Sequence, residues 1–137
     1  MLAITLTDAA WQPGPWAAGA AVLAVGDAIW LRATGSCLYT RFFFAPNKIT
    51  PPDWRAVAPW VLAYVVLASL AASVLAADDA PTAAALGALL GALVFGVYNI
   101  TVAAYLPKPS VVAAGLDVLY GTVAWTVLLS VQHAART

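Results

Sequence analysis

The sequence predicts an all-α integral membrane protein, a bundle of four transmembrane helices with short loops and an interfacial segment between helices 1 and 2. Three observations lead to this prediction. Of the 137 residues, 64% are hydrophobic and 9% are charged, whereas soluble proteins average about 45–50% apolar and about 25% charged residues. The apolar residues form four long segments separated by prolines and charges. None of these segments has the polar face at helical spacing that a soluble bundle needs.

The whole chain, residues 1–137, is expected to form a single membrane domain. Each span takes about 20 apolar residues, so four spans leave no room for an extramembrane domain. The spans are predicted at residues 16–33, 59–77, 81–106 and 109–132. The second is expected to begin at Pro59, since proline is tolerated in a first helical turn. Aromatic and basic residues are mixed between the first two spans, which is typical of the headgroup layer of a bilayer.

The connection between the third and fourth spans is very short. Because only a few residues around Lys108 separate them, these two helices should form a tight antiparallel hairpin. Gly87 and Gly91 form a G-x-x-x-G pair in the third span, and this pattern permits close helix packing. We expect that packing within the bundle, with docking onto a partner subunit as the alternative.

The distribution of basic residues predicts the orientation in the membrane. Arg136 is the single cation on one side. The other five lie at the connections after the first and third spans: Arg32, Arg41, Lys48, Arg55 and Lys108. By the positive-inside rule, both termini should face away from the cytoplasm, or away from the equivalent matrix or stromal side. The sequence does not indicate which membrane holds the protein.

Two of the six acidic residues, Asp27 and Asp117, fall inside predicted spans. An aspartate at a helix centre costs about 2.5–3.5 kcal/mol on insertion scales. Asn99 lies nine residues before Lys108 and Asp117 nine residues after it, so antiparallel helices bring them to one depth in the membrane. Asp27 is expected in the same half of the membrane. The sequence therefore predicts a buried polar cluster of Asp27, Asn99, Thr101 and Asp117, supported by Trp30, Tyr98 and Tyr120.

This polar cluster has two interpretations. A carboxyl group in a low-dielectric medium can take up and release a proton, which favours a proton or solute site. Intramembrane polar side chains also hold helices together, and each such hydrogen bond contributes about 0.6–2 kcal/mol. Composition and spacing alone leave both interpretations open.

Three short motifs carry these polar residues. They are DAIWL at 27–31, YNIT at 98–101 and DVLYG at 117–121. In this order and on these spans they resemble the motifs of an uncharacterised family of membrane proteins, the domain of unknown function 2177 family, over about residues 26–132. The resemblance implies four helices and a membrane location, and it implies no activity.

The chain departs from the usual motifs of that family at three positions. Asn99 stands where the family usually has an acid, Val102 where it has an asparagine, and Tyr120 where it has a tryptophan. One of three acids is thereby lost.

Several function classes are excluded or disfavoured by composition. Zero formal net charge provides no basic surface for nucleic acid. The single Cys37 and the single His133 supply no set of metal ligands, so neither a metal nor a cofactor is expected. The lipid bilayer is the expected partner, and a larger membrane complex is an open alternative.

The interpretation that the sequence favours is a non-catalytic accessory or assembly subunit that packs against other membrane proteins. The alternative is a small proton-coupled transporter or channel that uses Asp27, Asn99 and Asp117. Enzyme function is not expected, because the motifs of nucleophilic and metal-dependent catalysis are missing. An aspartyl pair formed by Asp27 and Asp117 is the one catalytic arrangement left open.

Overall fold

The structure, a computed structural model, describes residues 12–75 and 77–137. Four long helices contain most of these residues. They are α1 (Pro13–Thr34), α2 (Trp54–Ser73), α3 (Ala80–Tyr105) and α4 (Val111–Ala134). A π-helical segment, Gly35–Phe44, continues α1 and passes into the single helical turn Ala45–Asn47. The predicted all-α class is confirmed.

All four helices are long and apolar enough to cross a membrane, as the sequence predicts. The candidate spans cover Pro13–Thr34, Arg55–Ser73, Ala80–Tyr105 and Val111–Ala134. Many large apolar side chains point away from the bundle, for example Tyr105 and Val111. A surface of this kind is suited to contact with lipid rather than water.

Side-chain caps determine where three of the helices begin. Asp53, Asp79 and Ser110 each accept a hydrogen bond from a backbone N–H group in the first turn that follows, which satisfies donors that have no partner within the helix. Because Asp53 provides such a cap, α2 begins at Trp54, ahead of the predicted start at Pro59. Pro59 therefore lies inside the helix.

The end of α2 also differs from the expected position. The helix ends at Ser73, ahead of the predicted end at Ala77. Arg136, which follows α4, donates hydrogen bonds to the backbone oxygen of Ser73 and, at 3.2 Å, to that of Leu75. These bonds satisfy carbonyl groups that the end of a helix leaves without partners.

The four helices are arranged in the order α3, α4, α1, α2. Helix α4 packs against α1 and most extensively against α3, while α1 also packs against α2. Within the described part of the chain, α2 and α3 have no close backbone contact. The bundle is therefore most open between α2 and α3, which meet through side chains such as Tyr64 and Phe95.

The predicted α3–α4 hairpin is held together by small residues. Gly87 and Gly91 are buried on α3 and face the backbone of α4. A Cβ atom added to Gly91 would lie 2.7 Å from the carbonyl carbon of Gly121, and one added to Gly87 would lie 2.7 Å from Cα of Thr126. The G-x-x-x-G pair is thus used inside the bundle.

The apolar core occupies the end of the bundle away from the α3–α4 turn. Its buried side chains come from all four helices: Leu23, Val65, Ala68, Ala72, Leu86, Trp125, Leu128 and Leu129. The buried carboxyl groups of Asp27 and Asp117 lie nearer the α3–α4 turn, beside two cavities. The apolar core and the two carboxyl groups are therefore at different levels along the helix axes.

The connection between α1 and α2 is attached to the α3–α4 turn through Asn47. The Asn47 side chain donates to the backbone oxygen of Lys108 at 3.0 Å and accepts from the backbone N–H of Lys108 at 2.8 Å. It also donates to the backbone oxygen of Phe43 at 2.7 Å. These bonds hold the π-helical segment across the end of the bundle at the α3–α4 turn.

Candidate functional site

Asp27 on α1 and Asp117 on α4 lie at facing positions within two of the candidate spans. Their side chains are 6% and 5% exposed, respectively. Both point into the bundle rather than towards its surface. Two carboxyl groups buried in this way need hydrogen bonds, protons or a cation to offset the loss of water.

Each of these aspartates accepts a hydrogen bond from an aromatic residue of the other helix. The Tyr120 hydroxyl on α4 donates to Asp27, and the Trp30 indole N–H on α1 donates to Asp117 at 3.3 Å. In both helices the aromatic residue follows the aspartate by three positions, so the two side chains share a face. We call Asp27, Trp30, Asp117 and Tyr120 the central quartet.

Two further donors reach Asp117. Asn99 on α3 donates its side-chain N–H to Asp117 at 3.3 Å and also to the backbone oxygen of Phe95 at 2.9 Å. The Tyr39 hydroxyl, on the π-helical segment, donates to the same carboxyl group. Asp117 is therefore the point at which α1, α3, α4 and the π-helical segment meet.

The sequence-predicted residues Asp27, Asn99 and Asp117, with Trp30 and Tyr120, are thus brought together. Thr101 is not part of this group, because its side chain is exposed and its hydroxyl donates to the backbone oxygen of Val97 at 2.8 Å. Residues 99 and 101 differ by about 200° around a helix, so they cannot face the same neighbour. Tyr98 is 58% exposed and lies beside the quartet at the edge of the bundle.

Tyr39 and Phe95 belong to the site although sequence reasoning did not place them there. The ring of Phe95 contacts Tyr120 edge to face, with centroids 5.9 Å apart, and Tyr64 similarly at 6.4 Å. Phe95 lies one turn before Asn99 on α3, and this spacing is a signal that could have identified it. Tyr39 has no comparable signal, since it lies in a segment of π-helical form.

Every hydrogen-bond donor to the two carboxyl groups in the described structure is neutral: an indole, an amide and two phenols. Tyr39 lies outside the candidate spans, and burial together with the neighbouring Asp117 raises its pKa above the usual range for tyrosine. It therefore stays a protonated donor at physiological pH. The two carboxyl groups have no basic side chain as a hydrogen-bond partner among the described residues.

Two cavities adjoin these carboxyl groups. One of about 440 Å³ lies where the bundle is open between α2 and α3, and its wall includes both Asp27 and Asp117. The other, of about 370 Å³, lies nearer the α3–α4 turn and reaches Asn99 and Asp117. Cavities of roughly 300–1,000 Å³ with a few polar groups are typical of small-molecule sites.

An apolar layer closes the site towards the other end of the bundle. Leu23 on α1 and Leu128 on α4 are almost completely buried, and they lie about one turn beyond Asp27 and about two turns beyond Tyr120, respectively. Past this layer, Gln132 donates to the backbone oxygen of Ser69 at 3.0 Å. The carboxyl groups are thus separated from that end of the bundle by closely packed side chains.

Comparison with known proteins identifies a family but no activity. A family model described as "Predicted membrane protein (DUF2177)" matches residues 15–133, which confirms the resemblance suggested by the three motifs. No curated protein and no solved structure matches the chain.

Proposed function

We propose that this chain, which belongs to the domain of unknown function 2177 family of membrane proteins, is a small proton-coupled transporter. In this proposal Asp27 and Asp117 bind the transported solute and exchange protons with it. The protein is an integral, multi-pass membrane protein that contacts lipid, and the site lies in the interior of its bundle. The four candidate spans provide the scaffold.

One observation carries this proposal: two buried carboxyl groups, whose hydrogen-bond donors among the described residues are all neutral, form part of the wall of a cavity. A carboxylate removed from water is costly unless it is protonated or neutralised by a positive charge. Such a group can hold a proton in one state and a solute in another. The cavity of about 440 Å³ beside the pair gives a solute room to reach both carboxyl groups.

The closed apolar layer supports access from one end. The cavity beside Asn99 lies on the side of the α3–α4 turn, while Leu23 and Leu128 close the opposite direction. In the orientation inferred from the basic residues, the open end faces the cytoplasm, or the matrix or stroma. Transport then requires a second state in which the apolar layer opens.

The proposal is tested with purified protein in vesicles that contain a pH-sensitive dye. Valinomycin and equal potassium on both sides hold the membrane potential at zero, and cationic, zwitterionic, neutral and anionic solutes are added in turn. We expect solutes of one class to drive proton movement in the wild-type protein. Asp27→Asn and Asp117→Asn should abolish that movement, because an amide cannot exchange a proton.

Thr101→Val serves as the matched control, since Thr101 is on α3 near Asn99 but outside the polar group. It should transport as the wild-type protein does. Solute-driven proton movement that persists in both aspartate variants, with the proteins folded, contradicts the proposal and leaves the carboxyl groups a structural role.

A second candidate function is an accessory or assembly subunit, which the outer face of α3 favours. Val97, Ile100 and Tyr105 are 63%, 73% and 83% exposed there. The Gly87 and Gly91 pair gives this function less support, because it packs against α4. Purification in a mild detergent tests it: a stoichiometric complex with a larger membrane protein supports the accessory function, and a free, transport-active protein contradicts it.

A catalytic aspartyl pair is not part of our proposal. Each carboxyl group accepts a hydrogen bond from an aromatic residue of the opposite helix, which is an arrangement for holding the carboxyls in place. The transporter proposal uses both groups without a covalent step.

A further inference from the structure

The cavity between α2 and α3 has an unusual lining. In the part of the chain that the structure describes, seven aromatic side chains, two carboxyl groups and three aliphatic side chains line it. The aromatic residues come from α1, α2, α3, α4 and the π-helical segment, so every part of the bundle contributes to the wall. No lysine, arginine or histidine is among the described residues that line it.

We propose that this cavity binds a lipophilic organic cation, such as a quaternary ammonium or phosphonium ion. The proposal rests on the transporter function above and names the class of its substrate. The faces of tryptophan and tyrosine rings attract cations, and this attraction contributes most where water is excluded. The carboxylates of Asp27 and Asp117 would supply the opposite charge, so the same wall disfavours an anion.

The position of the cavity indicates the route by which such a ligand arrives. The cavity lies at the open side of the bundle, where α2 and α3 have no close backbone contact in the described structure. Trp60 on α2 is 78% exposed and Tyr98 on α3 is 58% exposed, and both belong to the lining. They mark an opening towards lipid. A ligand with apolar substituents can partition into the bilayer and reach the carboxyl groups laterally.

The proposed cation competes with protons for the same two carboxyl groups. The other titratable side chains that line the cavity are the phenols Tyr39, Tyr64, Tyr98 and Tyr120, and unperturbed phenols are neutral below about pH 10. Among the described lining residues, the two carboxyl groups are therefore the acidic groups that a cation would contact. Cation binding should weaken as the medium is made more acidic.

Equilibrium binding of radiolabelled tetraphenylphosphonium tests the proposal. The purified protein is placed in nanodiscs of zwitterionic phosphatidylcholine, and binding to empty nanodiscs is subtracted. Tetraphenylborate, which has the same shape and the opposite charge, is the matched ligand control. We expect saturable binding of the phosphonium ion, weaker binding at acid pH, and no saturable binding of the borate.

Three variants locate the binding. Asp117→Asn should weaken phosphonium binding about tenfold or more, because it removes a negative charge from a water-poor site. Trp60→Leu should weaken it several-fold, about the effect of one lost cation–π contact. Since Trp60 is largely exposed, this variant keeps the test valid if the aspartate variant does not fold. Thr101→Val should bind as the wild-type protein does.

The two proposals fail in different ways. If the phosphonium ion does not bind saturably, or if the borate binds equally well, the cation proposal is wrong, whereas solute-driven proton movement with another class of solute would still support transport. If binding is unchanged in both Asp117→Asn and Trp60→Leu, the cation is bound elsewhere and the proposal is wrong. Saturable binding at this site without proton movement supports the cation site and contradicts coupled transport.

Discussion

The indole ring of Trp30 on α1 and the phenol ring of Tyr120 on α4 are stacked, with centroids 4.6 Å apart and planes 6° from parallel. Each ring also donates a hydrogen bond to the aspartate of the opposite helix. The stacking therefore positions the Trp30 indole N–H and the Tyr120 hydroxyl for hydrogen bonds to Asp117 and Asp27 at the same time. The quartet therefore joins α1 and α4 through two polar contacts and one aromatic contact at the same level.

The first prediction concerns the polar contacts of the quartet. Tyr120→Phe retains the stacked ring and removes the hydroxyl that donates to Asp27. We expect a loss of about 1 kcal/mol in the free energy of unfolding, which is typical of a hydrogen bond within a membrane. Steric trapping in bicelles or nanodiscs measures it.

Tyr120→Leu is the comparison for that experiment, since it removes the hydroxyl, the stacking with Trp30 and the contact with Phe95. It should be more destabilising than Tyr120→Phe. Equal stability of the two variants would show that the stacked rings contribute nothing beyond the hydrogen bond.

The second prediction concerns the close contact between α3 and α4. In Gly91→Ala the new Cβ meets the backbone of Gly121 and Thr122 at less than 3.0 Å, so the helices must move apart. Overpacking of this kind typically costs about 1–3 kcal/mol. Gly96→Ala, on the same helix, adds a Cβ with no heavy atom within 4 Å.

Thermal unfolding of both glycine variants in one detergent measures the difference. Gly96→Ala should match the wild-type protein or exceed it, because alanine favours a helix more than glycine does. A Gly91→Ala protein as stable as Gly96→Ala would mean that α3 and α4 do not pack at this distance.

The third prediction is a pH dependence at the start of α3. Hydrogen bonds from the backbone and side chain of Thr82 lower the pKa of the Asp79 carboxyl below its usual value of 3.8. Because the folded state has the lower pKa, the stabilisation by this cap is fully present above about pH 4. It is lost as the pH falls through the folded-state value.

Hydrogen exchange of the first turn of α3 measures the effect of this cap at pH 5 and at pH 3. Protection should fall between these values in the wild-type protein after correction for intrinsic exchange rates. In Asp79→Asn, whose amide oxygen still caps the helix but does not titrate, the fall should be absent. An equal fall in the variant would assign the effect to another group.

The fourth prediction concerns the end of α2. Arg136→Ala removes the donors to the carbonyl oxygens of Ser73 and Leu75. Hydrogen bonds from a charged group contribute about 1.5–3 kcal/mol each, so the last turn of α2 should exchange its amide hydrogens faster. Burial lowers the pKa of the Arg136 guanidinium below its usual value, but the group remains cationic at neutral pH.

The control for Arg136 is Arg32→Ala, since Arg32 is an exposed arginine at the opposite end of the bundle. This change should leave exchange in α2 unaltered. Unchanged exchange at residues 70–75 in Arg136→Ala would show that the end of α2 is determined by its own sequence.

The sequence predicted part of the site because hairpin geometry is simple. Asn99 and Asp117 lie at equal distances from Lys108 along two antiparallel helices. In the structure, Nδ2 of Asn99 is 3.3 Å from Oδ2 of Asp117. Counting along the chain determines depth but not direction around the helix. Thr101 has nearly the same depth as Asn99 but faces outwards. Its exclusion from the polar group follows only when the rotation of about 100° per residue around a helix is also counted.

Tyr39 could not be predicted by either argument. Its contact with Asp117 depends on the π-helical form of Gly35–Phe44 and on the attachment of Asn47 to Lys108. The hydrophobic period of the sequence indicates neither the π-helical conformation nor this tertiary contact. Likewise, the start of α2 depended on the Asp53 cap rather than on Pro59.

The exchange of donors between α1 and α4 has a mechanical consequence. Because each helix supplies one donor and one acceptor, sliding α1 along α4 by a single turn breaks both hydrogen bonds and separates the stacked rings in one movement. These three contacts together therefore fix the register of α1 against α4, and an axial movement of one helix along the other has to break all of them.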